Sequence, residues 1–103
     1  MSDLLTHDEY KALAEGLTPA STSFVDGSFR AAQSGATFES INPATGKLLA
    51  KVADCDTTDI DYAVEKARMA FDDGRWRCLH PSARKDVLIR LAKLIKRNRH
   101  ELA

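Results

Sequence analysis

The residues of this chain that could do chemistry are two cysteines, three histidines and fifteen acids, and their spacing sets what they can do. Cys55 sits between Asp54 and Asp56, carboxylates that oppose the thiolate a nucleophile needs. Cys78 lies near Arg75, Arg77 and His80, a better setting for a thiolate, although a small connector residue fits the same place. There is no C-x-x-C, and neither Cys has a His at metal-ligand spacing. His7, His80 and His100 are scattered and read as surface or capping residues. The pairs Asp59/Asp61 and Asp72/Asp73 could share acid–base work. They fall at helix ends, however, and read as end charges; at the start of a helix, carboxylates suit the dipole. The five glycines never reach G-x-G-x-x-G or P-loop spacing, so no phosphate cradle is legible.

The 103 residues allow one small domain. Such a chain buries roughly two thirds of its unfolded surface, which makes a thin core. A zero net charge gives the molecule no pull toward nucleic acid or an anionic membrane. The charge is uneven: residues 81–103 hold seven Lys/Arg against two acids (+5), and the first eighty hold eight against thirteen (−5). A basic helical end is ordinarily a solvated face, or one that meets acid elsewhere in a larger protein. The competing reading is a small stand-alone interaction module whose basic helix binds an acidic partner. Two cysteines and no signal peptide fit a reducing cytoplasm, and the apolar runs are too short to span a membrane.

The elements that must position these residues follow from pattern. Thr6 and Glu9 have capping-box spacing ahead of Tyr10, Leu13, Ala14 and Leu17, an apolar helix face. "TPASTS" reads as a linker. Runs around Phe24-Val25 and Phe29 flank Asp26-Gly27, a tight hairpin turn. "TFESI" and "KLLAKVA" flank Asn42–Gly46 as a second antiparallel pair. Ile60, Ala63, Val64, Ala67, Ala70 and Phe71 then recur as one helical stripe, with Asp56, Thr57 or Thr58 as cap and Gly74 as stop. Trp76 reads as an apolar anchor between two helices. Pro81 opens a further helix with Val87, Leu88, Leu91, Ala92 and Ile95 on one face. Asn98 and Glu101 repeat the capping spacing, and the chain stops at Ala103 inside that last helix, as the front of something longer would. The expected class is α/β: two antiparallel β-hairpins followed by helices, without a self-contained active site.

The order of these pieces resembles the start of an NAD(P)-dependent aldehyde dehydrogenase. The resemblance rests on Phe24–Gly27 ("FVDG"), Ile41–Gly46 ("INPATG"), Asp59–Phe71 ("DIDYAVEKARMAF"), Trp76 and Arg84–Ala92, with Glu101-Leu102-Ala103 last. It covers residues 23–103. Lys93 stands where many members have Asp, and position 87 is Val. "EYKALAEGL", "LLAKVADCD" and "PSARKDVLIRLAKLI" are most similar to γ-glutamyl-γ-aminobutyraldehyde and guanidinobutyraldehyde dehydrogenases of polyamine and arginine breakdown.

The resemblance implies residues 1–22 as an N-terminal helix and linker, and 23–103 as an incomplete part of the cofactor-binding domain. It implies oxidation of an aldehyde to the acid by a Cys thiolate, hydride transfer to NAD or NADP, and hydrolysis by a Glu-activated water. In the family those groups come well past the equivalent of Ala103, so no catalytic or cofactor-binding residue carries over and the chain alone is expected to be inactive. One site does carry over: the backbone carbonyls of Ser40 and Ile41, part of a structural monovalent-cation site in several members. Expected partners of the full-length protein are the aldehyde, NAD(P) and further copies of itself, with no nucleic acid and no membrane.

Overall fold

The structure is a computed structural model that describes residues 3–103. In chain order its elements are α1 (His7–Gly16), β1 (Ser23–Val25), β2 (Ser28–Arg30), β3 (Thr37–Ile41), β4 (Leu48–Ala53), α2 (Thr57–Asp72), α3 (Pro81–Arg97) and α4 (Arg99–Leu102). The strands form two separate antiparallel pairs, β1–β2 and β3–β4, as the sequence predicts. The chain divides into two compact units, residues 19–77 and the two ends together.

Within residues 19–77, Asp26 (φ 53°) and Gly27 (φ 79°) both take positive φ, the mark of a tight primed turn. That turn pairs Phe24 with Phe29, whose rings meet edge-on at 5.0 Å. The second hairpin pairs Thr37 with Ala53 through Ser40 with Ala50, then shifts so that Ile41 faces Leu48. Leu49 is the extra residue of a bulge. The Asn42 side chain closes the turn by accepting the Ala44 N–H at 2.9 Å, while Asn42 N–H donates to the Lys47 carbonyl at 2.8 Å.

Helix α2 is where pattern and structure part. The sequence predicts one apolar stripe, but only its small members Ala63 and Ala70 are half-buried. Ile60, Val64 and Phe71 are 58%, 62% and 54% exposed. The side of α2 that meets hairpin β1–β2 carries Ala63, Ala67 and Ala70 between polar residues. Lys66 pairs with Asp26 at 3.7 Å, and the Arg30 guanidinium lies 3.7 Å from the centre of the Tyr62 ring. The alanines let the hairpin approach, and charged contacts fix it there. Past α2, Trp76 is 43% exposed rather than the expected anchor. Polar contacts hold its turn instead: Arg77 donates to the Phe71 carbonyl at 2.7 Å and Arg75 to Asp73 at 2.6 Å.

The other unit is helical. Glu9 N–H donates to the Thr6 hydroxyl at 3.3 Å and Thr6 N–H to Glu9 at 2.8 Å, the expected capping box. His80 caps α3 through Nδ1, which accepts the Ser82 N–H at 3.2 Å, with Pro81 in the first turn. The Asn98–Glu101 spacing does not produce a second box. The Asn98 side chain turns back and donates to the Leu94 carbonyl at 2.9 Å, closing α3, and makes no cap bond to α4. Nor is His100 a plain surface residue. It is half-buried, 3.2 Å from the Tyr10 hydroxyl, and beside it Arg99 pairs with Asp3 at 3.2 Å. These contacts tie α1 to α4.

Among the described residues Ala32 is the one buried apolar residue, and no helix is long and apolar enough to cross a membrane. A core this small barely offsets the conformational entropy of folding. The isolated chain is expected to melt broadly and to bind a hydrophobic dye at room temperature; a sharp cooperative melt of dilute monomer contradicts this. Gly27→Val is expected to weaken the first hairpin by about 1–2 kcal/mol, because a side chain strains the left-handed backbone. Hydrogen exchange at Phe29 reads that loss.

Candidate functional site

The carbonyls of Ser40 and Ile41, singled out by resemblance, lie at the bulge of the second hairpin, where the register changes between these two residues. A bulge interrupts the ladder and redirects backbone groups. Ser40 is half-buried and Ile41 is 46% exposed. Two backbone oxygens suit a hard cation but are only part of a shell that takes six or so oxygens. Among the described residues no cluster of three His, Cys, Asp or Glu side chains could hold a metal.

The starts of the three long helices are closed by side chains of their own. A phosphate needs free N–H groups at a helix N-terminus. Each long helix already uses some of its own. Thr6 and Glu9 cap α1, and His80 and Pro81 cap α3. At α2, Asp56 accepts the Thr58 N–H at 2.9 Å, and a second carboxylate, Asp59, stands beside it. Two carboxylates repel a phosphate where the dipole would attract it. Cys55 is half-buried, Cys78 is exposed, and both are free thiols.

The best-built polar feature is one that sequence reading took for an end charge. Asp59 is buried, 8% exposed. One carboxylate oxygen accepts the Gln33 N–H at 2.9 Å and the other the Asp56 N–H at 3.1 Å. Asp59 therefore closes the capping box of α2 and also ties it to the loop between β2 and β3. The D-x-x-D spacing of Asp56 and Asp59 signals the box; nothing local signals the bond to Gln33, 26 residues away. The Asp56 N–H first, then the Gln33 N–H, hold the Asp59 carboxyl below the usual aspartate range, with Arg30 adding a smaller pull.

The profile described as "Aldehyde dehydrogenase family" matches residues 29–103. The chain belongs to the aldehyde dehydrogenase family. It is similar to the aminoacetaldehyde dehydrogenase of Pseudomonas aeruginosa, 52% identical over 103 residues that are 100% of this chain and 21% of that protein. Among solved structures it is similar to a γ-glutamyl-γ-aminobutyraldehyde dehydrogenase from Burkholderia cenocepacia, with a TM-score of 0.85 and 44% identity over 91% of this chain and 19% of that one. It is also similar to the indole-3-acetaldehyde dehydrogenase of P. syringae in complex with NAD+, with a TM-score of 0.85 and 45% identity over 92% and 19%. The chain thus spans about a fifth of the length of these relatives. For an aldehyde dehydrogenase chain, the two hairpins and the motif-bearing helix α2 are the expected leading elements.

Because the Asp59 carboxyl is depressed when folded, its contribution is present above the ordinary aspartate value of about 3.9 and is lost as pH falls through the depressed one. Asp59→Ala, which removes both acceptors, is expected to remove exchange protection at the Gln33 amide at neutral pH, and to flatten the fall in protection that the unmodified chain shows below about pH 3.9. Identical exchange profiles for the two proteins would count against this role.

Proposed function

We propose that this chain forms the leading part of an NAD(P)-dependent aldehyde dehydrogenase that oxidises an aminoaldehyde to its carboxylic acid. What carries this reading is similarity along the whole chain to an enzyme named for an aminoaldehyde, alongside a structural likeness to a second one. Residues 1–22, of which 1 and 2 lie outside the described residues, supply a helix and linker, and residues 23–103 the first strands and helices of the cofactor-binding domain. The substrate is an aldehyde of the kind that polyamine breakdown yields, and the compartment is the cytoplasm, in keeping with two free thiols. The full-length protein acts as a homo-oligomer.

NAD or NADP supplies the hydride acceptor in such an enzyme. No step of the reaction is assigned to these residues. Their part is architectural. The Ser40 and Ile41 carbonyls supply two ligands to a monovalent cation that stiffens the strand end.

A second reading rests on α3, whose lysines and arginines make no ion pair among the described residues. A module that binds an acidic partner through this helix would lose affinity steeply as salt rises.

The purified 103-residue chain is expected to form no NADH from aminoacetaldehyde. Joined in place of the corresponding first fifth of the P. aeruginosa enzyme, it is expected to support NADH formation within about tenfold of the parent, a barrier change under about 1.4 kcal/mol. Turnover by the isolated chain, or a soluble but inactive chimera, overturns the reading. Salt-sensitive binding of an acidic polypeptide by the isolated chain would favour the second.

A further inference from the structure

Two Asp-Gly steps stand in this chain, Asp26-Gly27 and Asp73-Gly74, and the fold treats them differently. Such a step carries a reaction of its own, because the nitrogen of a glycine, with no Cβ beside it, closes readily onto the preceding carboxyl. At Asp73-Gly74 both reacting groups are taken. The Gly74 N–H donates to the Phe71 carbonyl at 3.2 Å, and Gly74 is buried. The Asp73 oxygens accept from the Arg75 side chain at 2.6 to 3.1 Å, which holds the carboxyl below the usual aspartate range and so in its unreactive, ionised form. At Asp26-Gly27 the hold is slight. Both residues are exposed, and the Gly27 N–H meets no acceptor among the described residues. The one ion-pair partner of Asp26 among them is Lys66, at 3.7 Å. Asp26 also sits at a φ of 53°, a left-handed conformation that an L-residue with a side chain adopts at a cost. Three residue pairs of a short hairpin keep this turn closed.

We propose that Asp26-Gly27 is a site of spontaneous covalent modification, where aspartate isomerises to isoaspartate, and that the fold holds Asp73-Gly74 out of the same reaction. Water is the only co-reactant. The Gly27 nitrogen attacks Cγ of the protonated Asp26 carboxyl. A Cγ–N bond forms, the amide proton and the carboxyl hydroxyl leave as water, and a succinimide ring closes. A second water then opens the ring. Attack at Cγ restores aspartate. Attack at the former backbone carbonyl carbon breaks its bond to nitrogen and leaves isoaspartate, with the main chain now running through Cβ and Cγ. Nothing is oxidised or reduced. The product has one more atom in its main chain, and its free carboxylate springs from Cα. A two-residue primed turn has no place for that atom, so the Val25–Ser28 pairing is lost. The displaced carboxylate also loses its contact with Lys66. The modification thus loosens the first hairpin from α2 without cutting the chain, whatever reaction the full-length protein performs.

Trypsin releases residues 12–30 and 69–75 as separate peptides, one for each Asp-Gly step. After the purified chain has aged at neutral pH, isoaspartate in each is read by methyl transfer from S-adenosylmethionine with a protein isoaspartyl methyltransferase, and by a chromatographic shift without change of mass. In the folded chain, 12–30 is expected to accumulate isoaspartate at least about tenfold faster than 69–75, a barrier difference of about 1.4 kcal/mol. In concentrated urea the two rates are expected to converge, because the fold sets the ratio. Lys66→Gln is expected to speed the reaction in 12–30 by about twofold to fivefold, the range that a surface ion pair controls, and to leave 69–75 unchanged. Asp26→Glu, which must close a larger ring, is expected to abolish the signal in 12–30. Hydrogen exchange at Phe29 is expected to quicken in the modified fraction. Equal accumulation in the two peptides under folding conditions overturns the inference. So does a ratio that persists unchanged in urea, since flanking sequence would then account for it.

Discussion

The carboxylate of Asp59 holds the strand-bearing unit together. It is the one charged side chain buried among the described residues, and each of its oxygens takes a backbone N–H from a different segment. Burying a charge is tolerable only when it is fully hydrogen-bonded, and here both partners are obligatory backbone donors. Around this tie the rest falls into place. The loop between β2 and β3 is pinned beside the start of α2, Ala32 next to it is the one buried apolar residue, and the hairpin settles against Tyr62 and Lys66.

That arrangement explains why the unit has so little core. A helix docked through charged and aromatic contacts does not need to spend its apolar side chains on its own hairpin. Surface ion pairs such as Asp26–Lys66 contribute little individually, so the assembly is ordered by geometry more than by free energy. The consequence is a folded piece with its larger aliphatic and aromatic side chains turned outward. For a chain spanning about a fifth of its relatives, this is the surface of a part rather than of a whole.

Local rules carried most of the secondary structure. Thr6 with Glu9, Asp26-Gly27, Asn42 through Gly46 and His80-Pro81 each specify a cap or turn within a few residues, and each is found as read. They are legible because a cap or a positive-φ turn is decided by neighbours in sequence. Where one side chain had two local choices the reading failed. Asn98 had the spacing to cap α4, but its amide closed α3 instead, since the Leu94 carbonyl lay within reach one turn back.

The sequence by itself determined the elements, their order, the antiparallel pairings and the family, because capping, turn chemistry and ordered motifs are all local or sequential. The tertiary structure alone decided which face of α2 looks inward, what Asp59 holds, and that His100 meets Tyr10 across ninety residues. Periodicity tells that a stripe exists but not what it faces. A contact between distant residues depends on where the folded backbone places its N–H groups and side chains, and no spacing along the chain encodes that.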